Sequence, residues 1–204
     1  CLKKKRNYLG SRLTTVDRLE AIARDFRGVL VVDEAYVDFA EQDALPLLEP
    51  GRGLDNVILL RSMSKGYSLA GLRFGYGLGH PELIHTLHKA RDSYNVDILA
   101  QHAAIAALQC RDHARESWQD VIVERARLTD ALGHRGWTVW PSQSNFILTR
   151  PPSGDARAIY EALAQRHIFV RYFDHDRLRD KLRITVGTTA QCDQLLVALR
   201  ESIN

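Results

Sequence analysis

The stretch Leu59-Leu60-Arg61-Ser62-Met63-Ser64-Lys65-Gly66-Tyr67-Ser68-Leu69-Ala70-Gly71-Leu72-Arg73 decides how the chain is read. Its apolar lead-in, Val57 to Leu60, reads as a buried strand bounded by polar residues. The loop that follows carries two hydroxyls and an amine: Ser62, Ser64 and Lys65. Gly66 and Gly71 permit tight backbone, and Arg73 comes eight residues after the lysine, in a Gly-rich segment ending at Gly79. Hydroxyls, an amine and a guanidinium at one strand end suit a phosphate held beside a nucleophile. Lysine is also the side chain that forms Schiff bases with carbonyl cofactors. Taken alone, the same loop reads equally as a solvated, Ser-rich turn, because most lysines are surface residues.

Upstream, the run Val29-Leu30-Val31-Val32 is continuously apolar, and it delivers Asp33-Glu34-Ala35-Tyr36. An all-apolar strand following a helix predicts a parallel sheet covered on both faces. Functional carboxylates in such sheets sit just past the carboxyl ends of strands, which is where Asp33 falls.

Bulk properties bound the answer. The 204 residues allow one large or two small domains, and 45 % hydrophobic with 26 % charged residues is a soluble, globular composition. A net charge of +3 makes no case for nucleic acid. Cys1, Cys110 and Cys192 are odd in number and far apart, so they form no disulfide framework and point to a reducing cytoplasm. No apolar run reaches the roughly 20 residues of a membrane span, and no signal peptide is legible. A first residue of Cys rather than Met is read as the start of a fragment.

The remaining periodicity predicts a helix from Val16 to about Phe26, capped by Thr15 and closed by Gly28. Asp38 to Arg52 reads as a loop with a helical turn at Leu45 to Leu48. Phe74 to Leu78 reads as a short strand, and Pro81 opens a helix to about Ala90. Ile98 to Gln109 is Ala-rich and nearly all apolar, which predicts a buried helix. A charged helix from Ala114 to about Gly133 leads into a part of different texture. There, short strands at Trp137 to Trp140, Phe146 to Thr149, Phe169 to Tyr172 and Leu182 to Val186 alternate with helices at Asp155 to His167 and Ala190 to Ser202. The basic run Lys3-Lys4-Lys5-Arg6 reads as a solvated terminus.

If the two apolar strands share a sheet, Asp33, Tyr36, Ser62, Ser64 and Lys65 converge at its carboxyl edge. A carboxylate to keep a pyridine nitrogen protonated, a phenol for a ring hydroxyl, donors for a phosphate and an amine for a carbonyl together describe a pyridoxal-phosphate site.

At this point the motifs resemble a known family. Asp33-Glu34-Ala35-Tyr36, Ser62-Met63-Ser64-Lys65 and Ala70-Gly71-Leu72-Arg73-Phe74-Gly75-Tyr76 are similar to those of the fold-type-I aminotransferases. Tyr94-Asn95-Val96 with Leu99-Ala100-Gln101, Ser144-Asn145-Phe146-Ile147-Leu148 and Leu182-Arg183-Ile184-Thr185-Val186-Gly187-Thr188 resemble the histidinol-phosphate aminotransferase family in particular. The resemblance runs from about Ser11 to Leu199. It implies an α/β, three-layer PLP-dependent transferase fold: residues 1–117 as the C-terminal part of the large, cofactor-binding domain with a mainly parallel sheet, and 118–204 as a small C-terminal α/β domain.

By the same resemblance, Lys65 bonds the cofactor and shuttles the proton, Asp33 pairs with the pyridinium nitrogen, and Tyr36 bonds O3′. Ser62, Ser64 and Arg73 would bind the cofactor phosphate. Arg183, assisted by Arg171, would bind the anionic group of histidinol phosphate or of glutamate, in exchange with 2-oxoglutarate, within histidine biosynthesis. The family also implies a cytoplasmic homodimer. A whole member has roughly 150 further N-terminal residues, so the chain resembles a C-terminal half. The family's Pro-Asn-Asn-Pro-Thr-Gly motif is replaced by Lys4-Lys5-Arg6-Asn7-Tyr8-Leu9-Gly10, and no role is carried to Asn7. Two other readings stay open: a phospho-amino-acid decarboxylase on the same scaffold, and a catalytically incompetent fragment.

Competing motifs fall short. A nucleotide hydrolase would need a Gly-x-x-x-x-Gly-Lys-Ser/Thr loop beside Val31-Val32-Asp33-Glu34. A penicillin-binding hydrolase would need a Lys-Thr-Gly strand besides Ser62-x-x-Lys65 and Ser93-x-Asn95. His80, His85 and His88 have no partners at metal-ligand spacing. No basic-aromatic interleaving supports a nucleic-acid module.

Overall fold

The computed structural model describes residues 13–202, and the Lys-rich run and Asn7 lie outside them. The described residues fall into two compact units, 13–118 and 119–202.

In the first unit, α1 (Val16–Asp25) places Leu19 and Ala23 one turn apart on its buried face, with Asp17 in the first turn and Arg24 in the last to suit the helix dipole. Thr15 stands at its N-cap, but its side chain makes no cap hydrogen bond. The exit of α1 is tied down by Asn56, whose amide nitrogen bonds the carbonyls of Ala23, Phe26 and Gly28 at 2.9, 3.0 and 3.1 Å. Strand β1 (Leu30–Asp33) then pairs in parallel with β2 (Val57–Ser62), Asp33 standing opposite Leu60. β2 runs two residues beyond the apolar stretch and pairs antiparallel with β3 (Gly75–Gly79). A sheet expected to be mainly parallel thus has one parallel and one antiparallel pairing among the described residues. A 3-10 turn at Leu45–Leu48 completes the core of Leu19, Ala23, Ala44, Leu47, Leu54, Val57 and Leu59.

That core covers one face of the sheet only, which corrects the expectation of a strand buried on both. Val31 is 49 % and Leu60 42 % exposed. They share the open face with Asp33, Ser62, Gly75 and Gly77, because side chains alternate along a strand and registered partners point the same way. An apolar run records that a strand has two dry faces without recording which chain segment dries them.

Helix α2 (Pro81–Ala90) starts on Pro81 as the sequence predicts. Helix α3 (Ile98–Gln109) is capped by Asp97, whose carboxylate accepts from the Ala100 N–H at 2.9 Å. It has the predicted bounds but not the predicted burial. Only Ala100 and Ala104 are buried, whereas Ile98, Leu99, Ile105 and Leu108 are exposed, Leu99 by 76 %. Helix α4 (Arg111–Gly133) begins three residues earlier than its charge pattern predicts and carries the boundary between the units at Trp118.

In the second unit, β4 (Thr138–Val139), β5 (Phe146–Arg150), β6 (Arg171–Tyr172) and β7 (Leu182–Thr185) form an antiparallel sheet ordered β4-β5-β7-β6. Helices α5 (Ala156–Gln165), capped by Asp155 on the Ala158 N–H, and α6 (Thr189–Ser202) pack with Leu128, Leu132, Ile147, Leu182 and Ile184 into one core. The opposite face of the sheet carries Phe146, Leu148 and Arg183, placed together by register. The Asn145 carbonyl accepts from the Val186 N–H, so its backbone stitches β5 to the end of β7.

Candidate functional site

The first unit brings two strand ends together. β1 and β2 are parallel neighbours, so Asp33, the last residue of β1, and Ser62, the last of β2, lie at the same edge of the sheet. Lys65 follows three residues later, with an exposed side chain. Asp33 turns its own loop: Oδ1 accepts the Ala35 N–H at 3.0 Å, while Oδ2 has no bonded partner among the described residues. Tyr36 sits half-buried on the turn beyond, ahead of the 3-10 turn Val37–Phe39.

The lysine loop is held by its own backbone. The Ser62 hydroxyl accepts the Ser64 N–H at 3.1 Å. Ser68 N–H reaches the Lys65 carbonyl at 3.3 Å, Leu69 N–H the Met63 carbonyl at 3.1 Å, and Met63 N–H the Phe74 carbonyl at 3.2 Å. Met63 is fully buried and acts as the loop's plug. Arg73 caps the following 3-10 turn in the left-handed region, at φ 53°, and among the described residues its guanidinium bonds only the Ala70 carbonyl, at 3.0 Å. A non-glycine residue in that region carries about 1 kcal/mol of strain, and such strain concentrates where a side chain must be aimed.

Behind these residues lies a network that sequence reading did not find. Glu34 is buried; Oε1 accepts the Ala44 N–H at 2.7 Å and Oε2 accepts Arg61 Nε–H at 2.9 Å, while Arg61 also donates to Asp43 at 2.9 Å. Glu34 thus bonds the backbone of Ala44 and the side chain of Arg61, a partner that could not be read from spacing alone. An open cleft of about 790 Å³ is lined by Asp38, Asp43, Arg61, Arg111 and Trp118, among others. Its lining includes none of the predicted site residues, so it backs the lysine loop rather than forming the site. Burial pushes the Asp38 carboxyl up, against the lowering effect of the Arg61 and Arg111 charges.

The predicted anion pair lies in the second unit. Arg171 and Arg183 are registered partners on β6 and β7. The Arg183 guanidinium lies 4.7 Å from the ring centre of Phe146 and 6.0 Å from that of Phe173, and Arg171 stacks on Phe173 at 5.1 Å. Arg183 Nε is buried without a hydrogen-bond partner among the described residues. The structure thus groups Asp33, Tyr36, Ser62, Ser64, Lys65 and Arg73 in one unit, and Arg171 with Arg183 in the other.

Comparison with known proteins decides the family. A family model described as aminotransferase class I and II matches residues 10–199. The chain belongs to the aminotransferase class I and II family. Among curated members, histidinol-phosphate aminotransferase 1 of Nostoc sp. is 49 % identical over 185 residues, covering 91 % of this chain and 52 % of that protein. The histidinol-phosphate aminotransferase of Geobacter sp. is 46 % identical over 180 residues, covering 88 % of this chain and 51 % of its own length. The crystal structure of histidinol-phosphate aminotransferase from Sinorhizobium meliloti, in complex with pyridoxal-5′-phosphate, superposes with a TM-score of 0.84 at 33 % identity, covering 97 % of this chain and 55 % of that one. This aminotransferase chain therefore has the fold-type-I architecture and spans about half the length of the curated relatives it matches.

Proposed function

We propose that the chain carries the lysine-bearing part of a pyridoxal-phosphate site and serves transamination between histidinol phosphate and 2-oxoglutarate or glutamate. The observation that carries this reading is the parallel β1–β2 pairing, which sets Asp33 and the Ser62–Lys65 run at one sheet edge. The donor set suits the cofactor. The unit holds an acid with one oxygen and an arginine that have no ionic partner among the described residues, two hydroxyls and an exposed amine, and strand positions Gly75 and Gly77 beside Ser62 and Leu60 add no side chain to the open face.

When bound, the cofactor supplies an electron-withdrawing ring conjugated to the amino-acid Cα. The chain's own residues do the rest. Asp33 holds a proton on the ring nitrogen by charge pairing. Tyr36 donates to the ring oxygen. Ser62, Ser64 and Arg73 would bind the phosphate, hydroxyls and a guanidinium being its natural donors. Lys65 would hold the cofactor through its amine, and the same amine, when free, would be the base that moves the substrate Cα proton. Arg183, with Arg171, takes the anionic end of the substrate.

The residues 1–117 are proposed as part of the large domain and 118–204 as the small one, working in a cytoplasmic homodimer. Among the described residues no helix is long and apolar enough to cross a membrane. The exposure of Val31, Leu60 and Leu99 favours a second reading, in which this chain alone retains cofactor weakly.

The test is incubation with pyridoxal phosphate followed by borohydride and peptide mapping. A reduced adduct on Lys65, absent in Lys65→Ala, supports the site. An adduct spread over surface lysines, unchanged in Lys65→Ala, refutes it. Assays of histidinol phosphate against other amino donors then settle the substrate.

A further inference from the structure

The peptide that follows Lys65 is gripped from outside its own loop. Trp118, 52 residues away and 7 % exposed, donates its indole N–H to the Gly66 carbonyl at 2.6 Å. Tyr67 packs edge-on against the same indole, with ring centres 5.3 Å apart and planes at 84°. Asp38 also packs against Gly66. A Cβ built at Gly66 would come within 2.5 Å of the Asp38 Cγ and 2.8 Å of its Cβ, so any side chain there would force Asp38 to shift. The Lys65 carbonyl is already held by the Ser68 N–H. Two consecutive carbonyls are thereby fixed, and the direction in which the Lys65 side chain leaves the backbone is fixed with them.

We infer that Trp118 is a positioning residue for Lys65, acting through the Gly66 carbonyl, with Asp38 packed against the same glycine. The inference rests on the proposed role of Lys65 and adds what orients it. Nothing in the local sequence reveals the contact, since Trp118 sits in a charged helix 52 residues from Gly66. The physical basis is a buried hydrogen bond whose loss leaves a carbonyl unpaired. Residues so bonded stay in place, and a reactive amine held in place needs no search at the moment of reaction.

Trp118→Phe keeps the ring against Tyr67 and removes only the N–H. The measurement compares two modification rates at Lys65, each read by peptide mapping: trapping by pyridoxal phosphate with borohydride, and labelling by a small amine reagent that needs no orientation. The ratio of the two is expected to fall about three- to tenfold in Trp118→Phe, the range of one hydrogen bond. Amide exchange at Ser68 and Leu69 is expected to quicken at unchanged far-ultraviolet circular dichroism. Trp137→Phe, which removes an indole N–H that has no partner among the described residues, should change neither.

An unchanged ratio with unchanged exchange overturns the inference while leaving the role of Lys65 standing. If the unsubstituted chain shows no preference for Lys65, the functional reading fails, and exchange at Ser68 and Leu69 alone decides whether Trp118 positions the loop. Should Trp118→Phe not fold, Asp38→Ala against Asp38→Asn takes its place. The shape-preserving Asn should hold the ratio and the truncated Ala should lower it; equal ratios overturn the inference.

Discussion

Arg171 and Arg183 stand directly opposite one another on neighbouring antiparallel strands, and neither has a carboxylate partner among the described residues. Like charges in that relation are destabilising. Both stack on Phe173, which holds the guanidinium groups in place without neutralising them. An added anion should therefore stabilise the second unit. Inorganic phosphate is expected to raise its melting temperature, and Arg183→Met to remove most of that response. Hydrogen bonds to charged groups contribute about 1.5–3 kcal/mol, so phosphate affinity by calorimetry should fall at least about tenfold. Without phosphate, Arg183→Met should leave stability unchanged or slightly higher. An identical phosphate response in the variant would place the anion elsewhere.

Asp33→Asn separates binding from folding. The exposed carboxylate makes one short-range bond, to the Ala35 N–H, which an amide oxygen can also accept. The denaturation midpoint should shift by less than about 1 kcal/mol. Cofactor retention should fall by about tenfold or more, one pKa-unit equivalent of charge pairing being about 1.4 kcal/mol. Equilibrium dialysis with pyridoxal phosphate reads the second quantity and urea melts the first.

Glu34→Ala should do the reverse. It strands the Ala44 N–H and leaves Arg61, whose side chain is 13 % exposed, with Asp43 as its one ion-pair partner among the described residues. Breaking a buried pair on one side costs about 3–5 kcal/mol. The urea midpoint of the first unit should drop accordingly. A loss below about 1 kcal/mol would show that water replaces the carboxylate.

Acid should weaken the second unit through Glu124. Hydrogen bonds from Arg127 at 2.6 and 3.0 Å hold its carboxyl below the ordinary glutamate value of 4.5, outweighing the opposing effect of burial. The folded state then binds this proton less readily than the unfolded state, so the stabilisation is present above pH 4.5 and is lost as pH falls through the lowered folded value. Glu124→Gln should be less stable at neutral pH, the difference shrinking below pH 4.5 in denaturant titrations. Asp38 has the opposite sign: with its carboxyl raised by burial, its contribution declines as pH climbs from 3.8 through the raised value. Asp38→Asn should remove that decline.

The sequence disclosed what is local. Apolar runs marked β1 and β2, Pro81 marked a helix start, and the residues just past the two strands were named because strand ends are where such chemistry collects. Burial on the second face was not legible. Val31 and the α3 residues Leu99 and Ile105 look the same in sequence whether or not this chain covers them. The Arg171–Arg183 pairing depends on strand register, and the Trp118–Gly66 bond spans 52 residues, so neither leaves a trace in spacing. The left-handed Arg73 was equally hidden, because nothing in Gly71-Leu72-Arg73 places the turn on the arginine rather than the glycine.

The wet apolar surface made by Val31, Leu60, Ile98, Leu99, Ile105 and Leu108 sets the colloidal behaviour of this chain. Sulfate and other excluded salts raise the cost of hydrating such surface, so turbidity in ammonium sulfate should set in early, and Leu99→Lys should delay it at no expense in folding stability. The positively charged balance of +3 offers little repulsion to oppose that association.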